Sequence, residues 1–237
     1  MSHTPLSRLP QFDPRLIPVT GVDRHLPRVA PEALTPAALQ QRFATPPAWQ
    51  PDVVLEKKFA DRVQARAAVL VPIVMRGPDA SQPTVLLTER TAHLSTHSGQ
   101  IAFPGGRVDD TDADAMGAAL REAHEEVGLE QRFVQVLGVL PTYTTGTSFI
   151  ITPVVALVHP DFELRPNPFE VADTFEVPLD FLMNPANHHH HAFEWEGARR
   201  EWFSMPYHEP LNDGSIERYI WGATAGMLRN FYRFLSA

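Results

Sequence analysis

The chain has 237 residues, no cysteine, 28 acidic against 20 basic residues and a formal net charge of −8. That length suits one large domain or a domain with an extension, and the missing cysteines exclude a disulfide framework and agree with a cytoplasmic place of work. The excess of acid argues against a protein that tracks nucleic-acid backbones. The longest apolar run, Ala67 to Met75, is too short to span a membrane, and Met1 to Pro10 lacks the apolar centre of a secretory signal.

Residues 1 to about 60 are punctuated by proline, from Pro5 to Pro51, which disfavours long regular elements. One short helix is expected there, with Thr35 as N-cap, Pro36 in the first turn and Ala37 to Ala44 continuing it; the rest is expected to wrap the surface. From Ala67 the pattern changes. Ala67 to Arg76 reads as a buried strand, Gly77 to Gln82 as a turn and Thr84 to Glu89 as the returning strand of a hairpin. Ile101 to Phe103 is a short strand feeding Pro104-Gly105-Gly106, where the lack of Cβ lets the backbone come close to a ligand.

A helix is expected over Ala113 to Val127, with Met116, Ala119, Leu120, Ala123 and Val127 forming its core stripe and Gly128 its stop. Strands are expected over Phe133 to Leu140, Phe149 to Leu157 and Thr174 to Val177. The run His188 to His191, after Asn184-Pro185-Ala186-Asn187, reads as an exposed loop, since adjacent side chains point apart and make a poor metal site. A hairpin of Phe193 to Gly197 against Arg199 to Phe203 follows. The closing helix, Ala223 to Leu235, carries Met227, Leu228, Phe231, Phe234 and Leu235 at helical spacing, a core-packing pattern.

The chemistry is concentrated on the central helix. Glu122, Glu125 and Glu126 stand at i, i+3 and i+4, so their carboxylates share one flank. At an effective dielectric near 20 and about 5 to 6 Å, each ionised pair costs roughly 3 kcal/mol before solvent reduces it. A divalent cation removes that cost. Oxygen-only ligands call for a hard ion, Mg²⁺ or Mn²⁺, and such ions take one or two carboxylates together with substrate phosphates. At 100° per residue Glu122 and Glu126 lie beside the apolar stripe and Glu125 faces farther toward solvent. The first two are therefore the firmest ligands.

The offsets Gly106, Arg121-Glu122, Glu125-Glu126 and Gly128-Leu129 resemble the Nudix box, G-x5-E-x7-R-E-U-x-E-E-x-G-U with U aliphatic, the signature of the Nudix hydrolases. One extra residue separates Gly106 from Arg121. The early Glu is replaced by Ala113, flanked by Asp112 and Asp114, either of which could take its place beside Arg121. Immediately upstream, Leu86-Leu87-Thr88-Glu89-Arg90 and Gly99-Gln100-Ile101-Ala102-Phe103-Pro104-Gly105-Gly106 resemble the motif of the coenzyme A pyrophosphatase branch, L-L-T-x-R-(S/A)-x3-R-x3-G-x3-F-P-G-G. Thr91 and Ser95 stand where that motif has Ser or Ala and Arg.

The resemblance covers roughly residues 65 to 237 and implies an α/β fold, a Nudix-type α/β/α sandwich with a mixed β-sheet and a loop-helix-loop catalytic motif. It divides the chain into a proline-rich extension over 1–62 and a hydrolase domain over 63–237. It implies metal-assisted hydrolysis of a pyrophosphate bridge, with Glu122, Glu125, Glu126 and the Gly106 carbonyl as ligands of Mg²⁺ or Mn²⁺. Glu125 and Glu170 are the two candidate general bases, and Arg121 orients carboxylates. Arg90 serves either an ion pair or a phosphate. With it, His97, Gly99, Gln100, Phe103 and Gly105 are the substrate-binding candidates. The implied partner is a small nucleotide, coenzyme A first, with ADP-ribose, dinucleoside polyphosphates or a non-catalytic nucleotide sensor as alternatives.

Overall fold

In the computed structural model, residues 12–52, 64–91, 99–146, 149–195 and 198–237 are described. Among the described residues twelve strands and four α-helices follow in chain order. They are β1 (Val19–Val22), α1 (Pro36–Ala44), β2 (Ala65–Val74), β3 (Thr84–Arg90), β4 (Ile101–Ala102), β5 (Gly105–Arg107), α2 (Ala115–Val127) and β6 (Val134–Val139). Then come β7 (Tyr143–Thr144), β8 (Phe149–Val158), β9 (Val171–Pro178), α3 (Leu179–Leu182), β10 (His189–Trp195), β11 (Ala198–Leu211), β12 (Gly214–Trp221) and α4 (Gly222–Ser236).

The larger sheet runs β4-β3-β2-β8-β6, with β5 and β7 added on β2 and β8 and β9 on β3. Strands β2 and β8 are parallel and the other pairings antiparallel, so the sheet is mixed. Both of its faces are covered, which is why its central strands read as continuous apolar runs rather than alternating ones. Ala68, Leu70, Val74, Leu86, Val154 and Ala156 pack with Ala119, Ala123 and Val127 of α2. Val71, Ile73, Val85, Leu87 and Val155 pack on the opposite side with Leu39 of α1, Leu179 of α3, and Leu228 and Phe231 of α4.

The expected hairpin of β2 and β3 forms, but the two strands share only the pairs Ile73↔Val85 and Val74↔Thr84. Beyond those pairs they diverge. Strand β5 takes the vacated edge of β2, pairing Ala68↔Gly106, and the Pro104 carbonyl accepts the Leu70 N–H at 2.8 Å. The wedge between β2 and β3 thus receives the Phe103–Gly106 turn and aims it at α2.

A second sheet, β1-β10-β11-β12, joins the N-terminal arm to the C-terminal hairpins. Here two expectations are corrected. The arm does more than wrap the surface: β1 pairs with β10, and Val29, Leu34 and Leu39 are in the core. The histidine run is not an exposed loop. His189, His190 and His191 lie within β10, and His188 and His191 are buried because each ring finds a partner inside. His188 Nε2 bonds the Leu182 carbonyl, His190 Nε2 bonds Asp23, and His191 Nε2 bonds Ser204. The C-terminal helix and its five apolar positions are as the periodicity predicts. Among the described residues no helix is long and apolar enough to cross a membrane.

Candidate active site

Helix α2 starts two residues later than its sequence pattern indicates, because Asp114 is its N-cap, accepting the Gly117 N–H at 2.8 Å. Gly128, at φ 72°, closes it by donating to carbonyls of the last turn. The buried stripe is Ala118, Ala119, Ala123, Glu126 and Val127. Relative to the expected stripe the helix is turned, so Met116 is 38% exposed and Leu120 sits at the margin, while Glu126 comes into the buried face.

What draws Glu126 inward is the Phe103–Gly106 turn. The Gly105 N–H donates to Glu126 Oε2 at 3.0 Å, and Arg90 Nη1 lies 3.7 Å from Oε1. Of the two positions after Pro104, Gly105 needs glycine, and Gly106 could take a side chain only by displacing the Glu122 carboxyl group. A Cβ on Gly105 would come within 2.4 Å of the Ala68 carbonyl oxygen, and one on Gly106 within 2.5 Å of the Glu122 carboxyl group. The Gly106 backbone is therefore packed directly against a carboxylate.

A third carboxylate arrives from the other side. After α2 the chain passes β6, β7 and β8 and returns through a loop pinned to the free carbonyls at the helix end, Arg165 N–H to Val127 and Asn167 N–H to Glu126, both at 2.8 Å. That anchorage sets Glu170 beside Glu122 and Glu126, and the Asn167 amide holds its Oε1 at 3.1 Å. Burial pushes Glu126 up to about 7, the Gly105 N–H and Arg90 oppose it, and Glu170 and Glu122 add to it. Burial raises Glu122 as well, with Glu125 and Glu170 contributing. Burial is the first cause for both groups; Arg121 opposes it at Glu122, and the neighbouring carboxylates add to it.

Arg121 organises the outer edge. Its guanidinium donates to both oxygens of Asp112 at 2.9 Å and to Glu122 and Glu125 at 3.0 Å, and reaches the Arg107 carbonyl at 3.1 Å. Of the two acids flanking Ala113, Asp112 is thus the partner and Asp114 the cap. Hydrogen bonds from Arg121 and the Asp109 N–H hold the Asp112 carboxyl down at about 2.

Glu122 is largely buried and Glu125 is mostly exposed, the order that the helical geometry predicts. His97 lies outside the described residues, as does Ser95. Gly99 and Gln100 sit next to Arg90, whose backbone bonds both. Phe103 departs from its expected role: its ring is 3% exposed and packs in the core, supporting the turn from behind. Asn167 was missed by the sequence reading, and no local signal marks it.

Among the described residues no three His, Asp or Glu side chains converge as a ready metal cage, since Arg121, Arg90 and the Gly105 N–H occupy the carboxylates. The donor set nevertheless fits a hard divalent ion: Glu170 adds to the raised proton affinity of both Glu122 and Glu126, and the Gly106 backbone meets Glu122 with no side chain between them. A cavity of about 750 Å³ lies elsewhere, against β1, β10 and β11, and includes none of these residues.

Residues 64–196 match the model of the NUDIX domain. The chain is 44% identical over 166 residues to an uncharacterized Nudix hydrolase NudL of Escherichia coli (strain K12), covering 69% of this chain and 79% of the relative. The like-named protein of Enterobacter sp. (strain 638) is 42% identical over 165 residues, with the same coverage. A solved Nudix hydrolase from M. smegmatis, RenU, is 26% identical at a TM-score of 0.43, covering 56% of this chain and 80% of that one.

Fold and site together define a pyrophosphohydrolase, an enzyme acting on nucleotide pyrophosphates. The chain belongs to the Nudix hydrolase family, whose enzymes generally use divalent metals.

Proposed function

We propose that this enzyme hydrolyses the pyrophosphate bridge of coenzyme A or its derivatives, giving adenosine 3′,5′-bisphosphate and 4′-phosphopantetheine. The observation that carries the reaction is the meeting of Glu122, Glu126 and Glu170 against the Gly105–Gly106 backbone. The substrate choice rests on the resemblance of Leu86 to Gly106 to the coenzyme A pyrophosphatase motif.

Glu122, Glu126, Glu125 and the Gly106 carbonyl would hold Mg²⁺ or Mn²⁺, which when bound would supply neutralising charge to the diphosphate and acidify water. Glu170 is favoured over Glu125 as general base. It touches the electrostatics of both buried carboxylates, whereas Glu125 is 56% exposed and tied to Arg121. Arg121 sets the orientation of Glu122 and Glu125. Arg90 balances Glu126 and, with Gly99, Gln100 and the Gly105 backbone, borders the substrate. The catalytic unit spans 63–237, with 1–62 as an extension that completes the second sheet.

The test is incubation of the purified protein with Mg²⁺ or Mn²⁺ and coenzyme A, ADP-ribose and diadenosine polyphosphates, with products identified by chromatography. Cleavage of coenzyme A at the bridge is the expected result. Faster cleavage of ADP-ribose overturns the substrate assignment, and no turnover of any compound overturns the reaction.

A further inference from the structure

Strand β5 has two faces with different duties. Its Gly106 backbone is packed against Glu122, on the α2 side of the sheet, and side chains alternate along a strand. Arg107, the next residue, therefore projects from the opposite side, the side of its register partner Ala67. There its guanidinium lies over the Phe149 ring, 5.6 Å from the centroid. A guanidinium held over a ring by its charge still has N–H donors to offer an anion.

Among the described residues no carboxylate pairs with those donors. Arg90 and Arg121 are engaged by carboxylates, yet among the described residues no ion pair to Arg107 occurs, and its side chain is exposed. In a chain with 28 acidic residues against 20 basic, an arginine held on an aromatic platform and left without a carboxylate is poised for an external anion.

We propose that Arg107, steadied by Phe149, recognises a phosphate of the substrate that lies outside the hydrolysed bridge, namely the 3′-phosphate of a 3′-phosphonucleotide. The inference rests on the reaction proposed above, which places the bridge on the α2 side of β5. The phosphate met on the other side of that strand is then a separate one. A bidentate guanidinium–phosphate contact fixes both the charge and the geometry that distinguish this group from a free hydroxyl.

The full-length protein and its Arg107→Met and Arg107→Lys variants are compared on coenzyme A and on 3′-dephospho-coenzyme A. In parallel, binding of adenosine 3′,5′-bisphosphate and of adenosine 5′-monophosphate is measured calorimetrically without metal. Losing a charge-assisted contact should cut the kcat/KM preference for the 3′-phosphorylated substrate about tenfold or more, with Lys intermediate, and weaken the bisphosphate alone by a similar factor. Equal losses on both substrates would put Arg107 at the bridge itself and overturn the inference; so would an unchanged preference. If the wild-type protein cuts neither coenzyme, the proposed substrate has failed and the calorimetric comparison alone decides the role of Arg107.

Discussion

The two faces of the large sheet handle buried charge in opposite ways. Against α4, Arg229 is 6% exposed and enclosed by Asp23, Asp52 and His188, so its charge is answered from several sides. Against α2, Glu126 is just as buried but has one backbone N–H and a distant Arg90, while Glu122 and Glu170 press on it. Compensated charge marks the scaffold that ties the N-terminal arm to the last helix. Charge left short of compensation marks the site, where a ligand must complete the balance.

That contrast can be broken most forcefully at Arg229. Arg229→Met leaves two acids without their cation and should cost about 3–5 kcal/mol of unfolding free energy, read from denaturant midpoints. An unchanged midpoint would remove its scaffold role. Glu126→Gln should do the reverse, holding the fold while cutting kcat about 10²–10³-fold, the worth of a few kcal/mol of charge stabilisation. Turnover unaffected by that change would sink the site.

A subtler test uses His188. Burial holds it down at about 4, below the 6.5 of an unfolded histidine. Above pH 6.5 both states are neutral and its contribution is complete. As pH falls toward 4 only the unfolded state gains the proton, so stability should drop by up to roughly 3 kcal/mol. Urea midpoints from pH 7.5 to 4.5 should decline less steeply in His188→Gln, and parallel slopes would refute the idea. The smallest effect is expected at Asp112. Asp112→Ala frees Arg121 from its bidentate partner and should lower kcat/KM about tenfold, and adding Ala113→Glu should recover part of it.

Helix α2 was legible because its information is local. The 3.6-residue periodicity and Gly128 lie within or next to it, and the glutamate spacing is fixed by the helix alone; only its start, set by the Asp114 cap, was placed two residues early. How deeply Glu126 is buried was not legible, since that depends on Gly105, a residue of another strand. The histidine run misled for the same reason: His190 finds Asp23 from 167 positions away, and four polar side chains in a row give no sign of a strand interior. The β2–β3 hairpin was foreseen, but its divergence was not, because what parts the strands is the later insertion of β5.

The pairing of β1 with β10 and of β2 with β8 also governs how the molecule comes into being. Contacts between segments so remote in sequence require large loops to close first, which slows folding. A chain emerging amino end first holds β1, and the edge of β2 that β8 will cover, unpaired until more than half of the protein has been made. During synthesis those early strands are the stretch at risk of wrong partners, and they are where a chaperone would be needed.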